Sequence, residues 1–74
     1  MRIWAFVTIE TDLLDPASLL IRAPFDAGAT IKQLPAARWD RDLAVWIVPA
    51  VYRALAARNL EAAGFDVYLV PEAA

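Results

Sequence analysis

Two tryptophans seven residues apart, Trp39 and Trp46, flank the charged turn Asp40-Arg41-Asp42, with Lys32 and Arg38 just upstream. Indole faces stack on unpaired bases while guanidinium and ammonium groups contact phosphate, and each stacked base is worth ~1–3 kcal/mol. The same rings equally suit a small core, since each has a large apolar surface and an N–H that finds a nearby acceptor. Core and contact readings both stand on the sequence, and the two rings can divide the roles.

Other chemistry is scarce. The chain contains no His and no Cys, which removes the commonest general base, the commonest metal ligand and the most reactive nucleophile. Asp40 and Asp42 are the nearest pair of carboxylates for acid–base work, but in a turn between two strands their expected role is to solvate its tip. Gly28 and Gly64 are isolated, so no glycine-rich loop exists to cradle a phosphate, and no Walker-type sequence is present. The reading is a non-enzymatic binding module with no cofactor and no metal site.

A second cluster lies at the N-terminus, where Arg2, Trp4 and Phe6 alternate with Ile3, Ala5 and Val7. If helices cover the Ile3/Val7 face, the aromatics stand on the opposite side of the sheet near Leu20 or Arg22. That layout stacks bases in sheet-based nucleic-acid binders. It also describes a partner or homodimer interface, the favoured expectation for exposed Trp and Phe on a hydrophobic sheet.

The elements that must position these groups follow from periodicity and punctuation. The period-two pattern over Arg2 to Glu10 predicts a strand. Asp12-Leu13-Leu14-Asp15-Pro16 supplies turn chemistry, and Leu19 to Ala23 reads as a second, antiparallel strand. Asp26 is the expected N-cap of a short helix from Ala27 to Gln33, which Pro35 prevents from continuing. Ala37 to Asp40 and Ala44 to Val48 read as a hairpin with charges at its tip. Pro49 suits the first position of a helix over Ala50 to Ala63, with Tyr52, Leu55, Ala56, Leu60 and Ala63 on one stripe and Arg53, Arg58 and Glu61 off it. Gly64 followed by Phe65 predicts a left-handed stop with a hydrophobic contact, and Phe65 to Val70 a last strand. The expected class is α+β: one small domain over residues 1–74, with about five short strands in an antiparallel or mixed sheet and two helices.

Composition bounds the rest. A chain of 74 residues has room for one core and buries only about 60% of its unfolded surface. No run of ~18 apolar residues is present to span a membrane, the N-terminal apolar stretch is too short for a signal segment, and the missing cysteines fit a reducing cytoplasm. At 61% hydrophobic, the chain holds more apolar surface than so small a domain hides, which predicts a partner surface or a homodimer. The net charge of −2 argues against a generic nucleic-acid binder, which has a basic excess. Its distribution matters more: from Arg22 to Arg58 six basic residues face three acidic ones, +3, and the two ends together hold −5.

A Lys-containing Ile-Lys-x-Leu-Pro turn, then Arg38-Trp39-Asp40, a polar turn, Val45-Trp46-x-Val48-Pro49 and a helix ending in glycine resembles the HARP-type domain and its short relatives. Such domains accompany annealing helicases and other DEAD-like or SNF2-type ATPases, and related stretches occur in phage and prophage proteins. The resemblance spans about Phe25 to Val70 and is most specific from Arg38 to Trp46. It implies recognition of single-stranded or forked DNA and nominates Lys32, Arg38, Trp39, Arg41 and Trp46. Arg53 and Arg58 on the long helix read first as solvated surface charge, with extension of a basic strip from the hairpin as the alternative. On this reading Arg38→Ala weakens binding without unfolding the domain. The rival is a protein-interaction module, such as a phage accessory or toxin–antitoxin component, docking through Trp4 and Phe6. A third reading has the acidic ends, with Glu10, Asp12 and Asp15, mimicking DNA in a partner's basic groove.

Overall fold

Alternation in the first strand sets the layers. In the computed structural model, which describes residues 6–70, β1 (Phe6–Thr11) buries Val7 and Ile9 and leaves Phe6 exposed. Arg2 and Trp4 lie outside the described residues. The chain turns into β2 (Ser18–Arg22) through a loop held by its own acidic side chains. There the Leu14 N–H donates to Asp12 Oδ1 at 2.9 Å and the Ser18 hydroxyl to Asp15 Oδ2 at 2.8 Å, as Asp favours in turns.

A 3-10 turn (Phe25–Ala27) leads into α1 (Gly28–Lys32), and β3 (Arg38–Asp40) and β4 (Val45–Pro49) form the expected hairpin. A second 3-10 turn (Ala50–Tyr52) precedes α2 (Arg53–Ala62), and β5 (Asp66–Leu69) closes the fold. The sheet runs β3-β4-β2-β1-β5. Every neighbour pair is antiparallel except β1 with β5, so the sheet is mixed. The α+β class and the element order match the expectation from sequence. No helix among the described residues is long and apolar enough to cross a membrane.

Register assigns the faces. One row across the sheet reads Trp39, Trp46, Ile21, Ile9 and Leu69. Ile21 and Ile9 at its centre are buried under the helices by Ile31, Leu34, Ala56, Ala57 and Leu60, while Trp39 and Leu69 at its ends are exposed. Among the described residues, two short helices cover the middle of five strands and leave both edges open. The adjacent row, Arg38, Ile47, Leu20 and Glu10, points to the other face. Val45 and Ile47 on that face are buried yet stand outside the cluster beneath the helices.

Several local expectations differ. Asp26 is not an N-cap: it sits inside the 3-10 turn, and α1 starts after Ala27 with no side-chain cap. A short helix entered directly from a 3-10 turn already has its first N–H groups directed at preceding carbonyls, as with Ala27 N–H on the Pro24 carbonyl. Pro49 ends β4 opposite Ser18 instead of opening the helix, and the backbone passes through 3-10 geometry before α2. On α2 the buried positions are Ala56, Ala57 and Leu60, with Ala63 exposed. The helix stop is as expected. Gly64 takes φ +96°, its N–H donates to the Glu61 carbonyl, and the Phe65 N–H reaches back to Leu60, each at 3.0 Å, while the Phe65 ring is buried.

Candidate nucleic-acid interface

The β3–β4 hairpin shapes the candidate site. Asp40 Oδ1 accepts the N–H groups of Asp42 at 2.9 Å and Leu43 at 3.0 Å, so this carboxylate organises the turn and is committed to it. Ala44 closes the turn at φ +55°, returning the chain to β4 with Val45 opposite Asp40 and Trp46 opposite Trp39. The two indoles therefore share one face, with centroids 5.4 Å apart and planes at 63°, an edge-to-face contact.

Their burial differs. Trp46 is partly buried against the core; its Cζ2 would lie 3.5 Å from a Cβ built on Gly28, so the ring rests over the backbone where α1 begins. Trp39, on the edge strand, is 51% exposed. One ring braces the other. The open side of Trp39 is a flat apolar surface fixed by its neighbour.

The cations divide as well. Lys32 at the last turn of α1, Arg38 on β3 and Arg41 in the turn are all exposed. None of them makes an ion pair with another described residue. Strand alternation turns Arg38 to the face opposite Trp39, beside Ile47. Arg53 is placed elsewhere: half-buried on α2, it donates to the Thr11 hydroxyl at the end of β1. Arg22 pairs with Glu10 on the helix-free face. The hairpin thus brings Trp39 and Trp46 together, holds Arg41 in its turn, carries Arg38 on its reverse side, and does not gather Arg53.

On the helix-free face, Phe6 stands with Leu20 and Arg22 as alternation predicts. Its ring lies 5.5 Å from that of Tyr68, and the two are 54% and 53% exposed. Tyr68 has no signal in the local sequence, because its neighbour is supplied by the parallel pairing of β5 with β1, chain segments some sixty residues apart. Comparison with known proteins returns nothing to set beside this geometry: no family model, no curated protein and no solved structure matches the chain.

Proposed function

We propose that this domain is a non-enzymatic module that binds single-stranded or forked DNA at the β3–β4 edge, one base stacking on Trp39. The observation that carries the reading is the half-exposed Trp39 indole held edge-to-face by a partly buried Trp46. A ring already packed against its neighbour loses less freedom on stacking than an isolated one. Arg41 in the turn and Lys32 at the end of α1, both exposed, supply phosphate contacts. Arg38 leaves the edge strand from the other face, so a backbone crossing the edge meets an indole on one side and a guanidinium on the other. A flexible single strand follows such a path; a stiff duplex does not. The resemblance of Arg38 to Trp46 to HARP-type domains supports the same reading.

The test is a fluorescence or anisotropy titration with single-stranded, forked and fully duplex oligonucleotides. Expected is preference for the first two, a shallow loss of affinity with salt reflecting about three phosphates, and a weakening of about tenfold, ~1.4 kcal/mol, for Trp39→Ala. Phe25→Ala removes a fully exposed ring from the 3-10 turn, outside the hairpin, and should leave affinity unchanged. Salt-insensitive binding, or equal loss in both variants, contradicts the reading.

A second reading is favoured by the exposed Phe6–Tyr68 ring pair on the helix-free face: docking of a protein partner there. It predicts association that is insensitive to salt and oligonucleotides and is lost on Phe6→Ala.

A further inference from the structure

We propose that two copies of this chain join through the outer edge of β5, pairing antiparallel about Tyr68 to continue the sheet across a two-fold axis. Among the described residues β5 has a neighbour on one side only, β1. The Val70 N–H donates to the Ile9 carbonyl at 2.8 Å. Groups in a strand alternate in direction, so Tyr68 and Val70 face β1 while Val67 and Leu69 turn their N–H and C=O outward.

Outward-facing residues two apart are self-complementary under a two-fold axis. Val67 pairs with Leu69 of the second copy and Leu69 with its Val67, giving four hydrogen bonds. Tyr68 then stands opposite the other Tyr68 at a non-hydrogen-bonded position, where side chains approach most closely.

The side chains fit that register. Phe6 and Tyr68 are already in ring contact on the helix-free face, so the pairing extends them into a row of four aromatic rings across the axis. On the helix face, exposed Leu69 meets the second copy's Val67. The one charge in the strand, Asp66, falls opposite Val70. The two Asp66 side chains are thereby about 13 Å apart along the strands at ~3.3 Å per residue, beyond the Debye length at physiological salt.

The other sheet edge is unlike this one. β3 is three residues long, carries Arg38 and Asp40, and runs straight into a turn, features that discourage edge pairing. Growth therefore stops at two copies. The Trp39 hairpin, at the far end of the sheet from β5, remains open in both.

Sedimentation analysis of the full chain over a concentration series tests this together with amide hydrogen exchange. Expected is a mass of two chains, falling to one in Tyr68→Lys, which opposes two ammonium groups on the axis, and unchanged in Phe25→Lys. In the wild-type dimer the amides of Val67 and Leu69 should be protected, with protection falling on dilution. A single-chain mass up to near-millimolar concentration, an intact Tyr68→Lys dimer, or unprotected Val67 and Leu69 amides in the dimer overturns the proposal. The exchange arm uses the native chain, so it decides even if the lysine variant fails to fold.

Discussion

Trp39 and Trp46 show how one residue type occupies two environments a few ångströms apart. Burial fixes Trp46 over Gly28, and the edge-to-face contact passes that order to Trp39, whose other side stays in solvent. The sequence left core and contact open for both rings. The separation follows from position in the sheet: β4 has strands on both sides, β3 on one. At the same scale lies a strained backbone. Ala44 closes the hairpin at φ +55°, a left-handed conformation costing a non-glycine residue about 1–2 kcal/mol. Glycine relieves that strain and gives back about 0.5–1 kcal/mol in unfolded-chain entropy. Ala44→Gly is therefore expected to stabilise the domain by about 0.5–1 kcal/mol, raising Tm by several degrees, as read by thermal denaturation. A lowered Tm would show that Ala44 makes contacts outweighing its strain.

At the scale of elements, the α2–β5 junction gives the opposite experiment. Gly64 takes φ +96° with nothing within 4 Å of an added Cβ, so Gly64→Ala carries a purely conformational penalty. The expected loss is about 1–2 kcal/mol in denaturant unfolding, and a neutral effect would mean that the helix stop relaxes at no cost. This junction was legible in sequence because Gly followed by a buried aromatic is a local signal. So were the alternation of β1, the acidic β1–β2 turn and the Arg38 to Trp46 hairpin. What escaped is non-local or depends on fine helix geometry. Nothing in residues 65–70 announces that β5 lies parallel beside β1, so the Phe6–Tyr68 contact was invisible. Asp26 has the chemistry of an N-cap, but the 3-10 turn that precedes α1 leaves no role for one. Arg53 looked like surface charge on a helix, and only packing α2 across the sheet brings it to Thr11.

For the whole molecule, the excess of apolar residues has a visible destination. The two helices are too short to shield five strands, and large apolar groups remain exposed at both sheet edges, Trp39 at one and Tyr68, Leu69 and Val70 at the other. The cations are sorted in the same way. Arg22 and Arg53 are held by Glu10 and Thr11, whereas Lys32, Arg38 and Arg41 near the hairpin project into solvent. A chain of net charge −2 thus leaves three exposed cations, Lys32, Arg38 and Arg41, without an ion pair among the described residues, and the local field, more than the net charge, governs encounter with a polyanion. The most direct check is a nuclear magnetic resonance titration of the indole N–H signals with a single-stranded oligonucleotide. The account predicts that the Trp39 signal shifts to saturation, that Trp46 moves little, and that duplex of equal length perturbs Trp39 far less. A Trp39 signal that stays in place while the protein is saturated would contradict it.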